Sequence, residues 1–227
     1  MNYVRTPLVA IAFAALSFTG CGGGGGGGGL APPPAVTTQI ISDPAFDGDI
    51  ELTVPPSSTY FVTQGMSSSV QSVFAGIFPG SLSEFRAFLD FPLTGTNGIP
   101  VNALIDRASL DIYINSLNPS TGSLPLRIEL VSFQPPTLIG TDFDRAIQPP
   151  LASISVNPPF ILADVGTNVS IDVTALMVEA QNRKLNDFQV RIMEELGPAI
   201  PVLLEINDTT GADRAAKAPV LTVTYLP

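Results

Sequence analysis

The chain has 227 residues, with 10 basic against 20 acidic side chains, one cysteine, no histidine and no tryptophan. The missing histidine excludes Ser-His-Asp and Cys-His catalysis and any zinc site that needs an imidazole. A net charge of −10 opposes nucleic acid and leaves no basic patch for anionic lipid, so no nucleic-acid partner is expected.

Residues 1–6 carry a single positive charge, Arg5. Residues 8–18 are almost wholly apolar, and Thr19 and Gly20 are small. These are the three parts of a secretory signal, and the run falls short of the roughly 20 residues a membrane-spanning helix needs. The segment resembles the leader of bacterial lipoproteins, matching their lipobox at Gly20 and Cys21, with Phe18 where that family usually has leucine. The resemblance implies that diacylglycerol alkylates Cys21, which becomes the new N-terminus and is acylated again. Cysteine suits this step because its thiolate forms a thioether readily near neutral pH. The alternative is an ordinary signal peptide cut near a chance cysteine, but a secreted chain seldom keeps one unpaired thiol. Two or three acyl chains hold a protein to a bilayer where one does not. The expected location is therefore the cell envelope, with a membrane as partner through the lipid. By the same resemblance, Gly22 in place of aspartate directs the chain to the outer membrane if the cell has one.

Residues 22–29 are eight glycines and residues 32–34 are three prolines. Glycine gives a flexible tether, and the prolines stiffen it toward an extended form. The division expected is a signal segment 1–20, a lipidated cysteine and linker 21–42, and one domain 43–227. A domain of that size buries a core without disulfides.

Beyond residue 45, short strands alternate with Pro-, Gly-, Asn- and Ser-rich joints. Ile50 to Val54 and Val70 to Phe78 are weak strand candidates. Phe85, Ala87, Leu89 and Phe91 alternate with Arg86, Phe88 and Asp90. Leu110, Ile112 and Ile114 alternate with Ser109, Asp111, Tyr113 and Asn115, the period of a strand with one wet face. Leu126, Ile128 and Leu130 alternate with Arg127 and Glu129. Ile154 to Val156 and Val169 to Val173 are weaker. Val173, Leu176, Met177 and Ala180 switch to helical spacing, predicting a helix of about three turns over 172–184. Asp172 or Thr174 caps its start, and Arg183 and Lys184 face the negative end of its dipole. Phe188, Val190 and Ile192, then Val202, Leu204 and Ile206, then Leu221, Val223 and Tyr225 complete the set. This order predicts an all-β sandwich with one short helix between late strands.

The pieces resemble the DNRLRE domain, a jelly-roll β-sandwich related to carbohydrate-binding modules. Phe85-Arg86-Ala87-Phe88-Leu89-Asp90-Phe91-Pro92-Leu93 and Ile105-Asp106-Arg107-Ala108-Ser109-Leu110-Asp111-Ile112-Tyr113 match its middle strands. Val169-Ser170-Ile171-Asp172-Val173-Thr174-Ala175-Leu176-Met177 matches its valine-rich strand, "D-V-T" and helix. Ala218-Pro219-Val220-Leu221-Thr222-Val223-Thr224-Tyr225 matches its closing strand. The resemblance covers roughly residues 47–225 and implies a jelly roll that binds polysaccharide.

Tyr60, Phe61, Tyr113 and Phe133 are the candidate aromatic contacts, because the tryptophan that best stacks a sugar is missing. Tyr113, on the wet face of its strand, is the leading one; the bland reading packs it beside a neighbouring loop. Arg86 is either a ligand contact or a strand charge paired with a carboxylate. Asp43, Asp47, Asp49 and Glu51 form the densest acidic cluster. They are either a solvated acidic turn or oxygen ligands of a structural calcium; no other cofactor is expected. Asp142 with Asp144, and Asn207 with Asp208 and Asp213, are weaker versions of the same pattern. No residue is singled out as catalytic. Cys21 is committed to lipid, and only Lys184 and Lys217 are free for Ser–Lys chemistry. Three classes stay open: a non-catalytic, lipid-anchored binding or structural sandwich; a carboxylate-dependent glycan-active enzyme; and a protein-binding or assembly module of the envelope. An open polar groove with an aromatic floor favours glycan binding, and two carboxylates in one cleft favour the enzyme.

Overall fold

The computed structural model describes residues 34–54, 56, 58–95, 98–119, 123–133, 137–195 and 201–227. Cys21 and the polyglycine run lie outside the described residues. β1 (Val36–Ile41), β2 (Gly48–Leu52), β3 (Tyr60–Gln64) and β4 (Ser72–Ile77) lead to β5 (Glu84–Pro92) and the long β6 (Leu104–Asn118). β7 (Ser123–Leu124) and β8 (Leu126–Val131) precede a loop with one 3-10 turn, Gly140–Phe143. β9 (Ala152–Ser155), β10 (Phe160–Ile161), a second 3-10 turn, Leu162–Asp164, and β11 (Asn168–Asp172) follow. Then come α1 (Thr174–Asn182), β12 (Asp187–Glu194), β13 (Leu203–Asn207), α2 (Arg214–Lys217) and β14 (Val220–Leu226).

The strands pair antiparallel in a sheet that curls on itself into a sandwich. One layer runs β1-β14-β6-β11 and the other runs β3-β2-β5-β12-β8-β9. β13 and β4 join them, linking the far half of β6 to the start of β5. β6 belongs to both parts: residues up to Asp111 pair with β14, and those from Ile114 pair with β13. Gly76 makes the turn of the sheet at that join, with φ of +113° and the Val202 carbonyl where a side chain would stand.

The alternating sets fill the space between the layers. Ala87, Leu89, Leu110, Ile112, Ile128, Val190, Ile192, Leu204 and Val223 are all fully buried in one core. Leu176, Met177 and Ala180 of α1 close one end of it. The helix is shorter than the spacing suggests. Asp172 accepts the Thr174 N–H at 2.9 Å and holds the turn that starts it, while Lys184, at φ of +56°, lies past its end. β1 is a strand that composition assigns to the linker. Its Val-Thr-Thr-Gln-Ile-Ile run buries only Ile40 and is held by its ladder to β14.

The second layer departs from the simple pattern of one wet face. Its outer face is covered by residues 132–151, excluding the undescribed 134–136, and Ile50, Phe88, Val131, Phe133, Leu138 and Phe143 form a second cluster there. The polar alternates Arg86, Asp90, Glu129, Gln189 and Arg191 are therefore buried instead of solvated. They bond one another or loop carbonyls, which is what buried polar groups require. Gln189 donates to Asp90 at 2.7 Å and accepts the Phe133 N–H at 3.0 Å.

Candidate functional site

The acidic cluster is not a solvated turn. Asp47 and Asp49 are buried, and among the described residues no three Asp, Glu, His or Cys side chains gather as an ion site needs. Asp43 accepts the Ala45 N–H at 3.0 Å and shapes a local turn. Asp47 is wholly buried, and one of its oxygens accepts the Asp90 N–H at 2.7 Å. Its other oxygen faces Asp208, and burial followed by that neighbour pushes its pKa well up. One oxygen of each carboxyl has no other partner, and burial raises the pKa of both Asp47 and Asp208. Glu51 lies two residues beyond Asp49 on β2. Asp142 and Asp144 serve loop N–H groups, those of Ile139 and Ala146. Asn207 braces Thr209, and Asp208 and Asp213 pair with Arg214 and Lys217.

Two of the three ligand candidates share one cleft. Tyr60 and Arg86 line a space of about 280 Å³ with Glu84, Phe143 and Arg145. Arg86 is almost fully committed there. Its guanidinium lies 2.7 Å from Glu84, sits 3.9 Å over the Phe143 ring and donates to the Phe143 carbonyl. Tyr60 packs on Phe143 with ring centroids 5.5 Å apart, and Gly140 lets the loop lie against it. Tyr113 stands apart on β6 under the Lys217 ammonium, 5.4 Å from its ring. Phe61 is exposed on edge strand β3, and Phe133 is buried in the second cluster.

A different groove, of about 490 Å³, has the chemistry of a ligand site. The β4–β13 register sets Glu205 directly opposite Phe74, and the β4–β5 register sets Phe85 opposite Gly76. Phe74 and Phe85 meet edge to face with centroids 6.0 Å apart and form its floor. Glu205 is aimed by three donors: Ser72 Oγ at 2.8 Å, Ser116 Oγ at 2.8 Å and Asn115 Nδ2 at 3.3 Å. Asp49 enters from β2, and Thr63 and Gln71 supply further polar atoms. Burial pushes the Asp49 carboxyl up to about 7, against the pull of the Phe74 N–H it accepts, with Glu51 adding to the rise. Near neutral pH Asp49 is thus poised between acid and carboxylate, while Glu205 is oriented as an acceptor. The groove offers acceptors, hydroxyls and an amide around two half-buried rings.

Of these residues the sequence singles out only Asp49, and it places Phe85 with the core. The signal that points to the others is register: Ser72, Phe74 and Glu205 are the half-buried alternates of strands whose Val73, Ala75, Leu204 and Ile206 are fully buried. Among the described residues no helix is long and apolar enough to cross a membrane. No protein-family model matches the chain, and no curated protein sequence matches it.

Proposed function

We propose that this chain is a lipid-anchored, non-catalytic β-sandwich of the bacterial cell envelope that binds polysaccharide in the groove of Asp49, Phe74, Phe85 and Glu205. The groove carries the reading: an open channel in which carboxylates, hydroxyls and an amide surround two aromatic rings is the arrangement that sugar hydroxyls and the apolar face of a pyranose call for. The resemblance of its strand order to the DNRLRE domain supports the same ligand class. Cys21 at the exit of the apolar leader, followed by a Gly- and Pro-rich tether, supports the anchor and an outer-membrane location where the cell has that membrane.

The binding is tested on a glycan array. The mature chain is expected to bind at least one polysaccharide class. Phe74→Ala or Glu205→Gln is expected to weaken that binding about tenfold while the circular-dichroism spectrum stays that of the folded chain, since each loses a stacking face or a charged acceptor. A folded chain that binds no glycan overturns the reading.

The anchor is tested by feeding cells an alkyne fatty acid. The wild-type chain is expected to take up label and Cys21→Ser to take up none. An unlabelled wild type, or equal label on both, contradicts it.

One observation favours an enzyme as the second reading. Asp49 and Glu205 line the same groove, one partly protonated near neutral pH and the other aimed by three hydrogen-bond donors, a pair of carboxyl groups in one cleft such as general acid and base require. New reducing ends released from a bound glycan, and lost in Asp49→Asn, would support it; an intact glycan dismisses it.

A further inference from the structure

β9 and β11 are the edge strands of the two layers on the side away from β1 and β3, and they do not pair with each other. Where they part, a slot of about 660 Å³ opens beside the first turn of α1. Its walls are Ile154 and Val156 from one layer and Val169 and Ile171 from the other. Ile154, Val156 and Val169 are half-buried, with the core packed behind them. Interiors are otherwise packed to crystal density, so a gap of this size between two layers is space for a guest. Its volume is that of sites for small organic ligands.

The slot is held open by its own framework. The Val156 N–H donates to Leu126 at 2.8 Å, β10 pairs with β7, and Val173 N–H donates to Ala108 at 3.0 Å. A ligand entering it meets preformed walls and loses little to reorganisation.

The rim decides the head group. Asp164 and Asp172 stand on it, and its lining contains no lysine or arginine. Asp164 accepts the Ile161 N–H at 2.8 Å. Asp172 accepts both the N–H and the hydroxyl of Thr174, at 2.9 and 2.6 Å, and these bonds hold its carboxyl below the usual range. Among the described residues neither carboxylate has a cation within 4.0 Å, and Arg107 acts on Asp172 only from farther away. An anionic head is repelled at this rim, and a cation finds two oriented carboxylates.

We propose that the slot between β9 and β11 is a second binding site, for a small apolar molecule that carries a cationic head. It is separate from the polysaccharide groove and shares no lining residue with it.

The test uses the mature chain and the neutral fluorescent probe N-phenyl-1-naphthylamine, displaced by dodecylamine, dodecanol or dodecanoate below their aggregation limits. Saturable binding of the probe is expected, with the amine displacing it about tenfold more tightly than the acid, the alcohol lying between. Ala175 is exposed at the first turn of α1 and lines the slot, so Ala175→Trp fills it from a position where the fold tolerates a larger side chain. This variant is expected to lose the probe with an unchanged circular-dichroism spectrum. The Asp164→Asn, Asp172→Asn double variant is expected to erase the preference for the amine while leaving the alcohol unaffected. No saturable binding, equal binding by Ala175→Trp, or tighter binding of the acid than of the amine would overturn the proposal. Each outcome is independent of whether the chain binds a glycan.

Discussion

Glu129→Ala is expected to destabilise the fold by about 3–5 kcal/mol, read as a lower midpoint in a urea titration followed by circular dichroism. The reason is the guanidinium it strands. Arg191 and Glu129 are both wholly buried, and Glu129 receives Arg191 Nε at 2.9 Å and Nη2 at 2.6 Å. Arg191 also donates to the Asp142 carbonyl at 2.6 Å and the Gln148 carbonyl at 3.1 Å, which fastens residues 142–148 onto the second layer. Arg145 reaches Glu129 as well, at 2.7 Å. Burial, followed by the neighbouring cations Arg86 and Arg145, lowers the Arg191 pKa, and the Glu129 carboxylate is the opposing influence. Removing it leaves a buried cation that has lost two of its four hydrogen bonds and its counter-charge, which is far more costly than losing an exposed pair. The double change Glu129→Leu, Arg191→Met is expected to cost less than Glu129→Ala, because no wholly buried charge is left unpaired; Arg145, which loses the same carboxylate, is partly exposed and reaches water. A double variant as unstable as the single one would show that the loop bonds to Asp142 and Gln148 carry the effect instead of the charge.

Thermal stability is expected to peak near pH 4–5 and to fall by on the order of several kcal/mol toward pH 8. Burial pushes Asp49 up to about 7, Asp90 up to about 6 and Glu194 up to about 7. Asp47 and Asp208 are raised in the same direction. A carboxyl raised on folding binds its proton more tightly in the native state than in the unfolded chain. Between the unfolded values, near 4, and these raised ones, the native state holds more protons, so stability falls as pH rises. For Asp49, Asp90 and Glu194 the loss levels off only once the pH is about a unit above these raised values. Below about 4 the sign reverses, because Asp172 and Glu195 have lowered values, through Thr174 and Arg127 respectively, and their contribution vanishes on protonation. Asp49→Asn or Glu194→Gln is expected to flatten the fall between pH 5 and 8. A melting temperature that rises steadily from pH 4 to 8 would contradict the buried, protonated carboxyls.

The strands that carry the core are legible in the sequence where one face is apolar and the next residue is polar. Leu110, Ile112 and Ile114 on β6, and Phe188, Val190 and Ile192 on β12, are the plain cases. β3 is not legible, because an edge strand with exposed Tyr60, Phe61 and Val62 has no buried face to set a period. Glu129 and Arg191 fall on the polar side of their alternation, and nothing local reports that residues 137–151 fold over them. Periodicity assigns a face to a residue but does not say what covers that face. The same limit hides the groove. Asp49, Phe74 and Glu205 come from three strands far apart in sequence, and only the β4–β13 register and the Asp49 bond to the Phe74 N–H bring them together. Asp47 and Asp49 read as a surface cluster because they are close in sequence. In the fold they alternate with Gly48, and Ile50 turns the opposite way into the second cluster, so β2 buries both of its faces.

Hydrogen–deuterium exchange of the mature chain, with and without the glycan it binds best, locates the ligand most directly. The groove predicts added protection at residues 60–64 and 72–77 and around Glu205, with residues 84–86 following. Protection confined to Tyr113 and α2, or to the 140–145 loop beside Arg86 with none on β4 and β13, would contradict it.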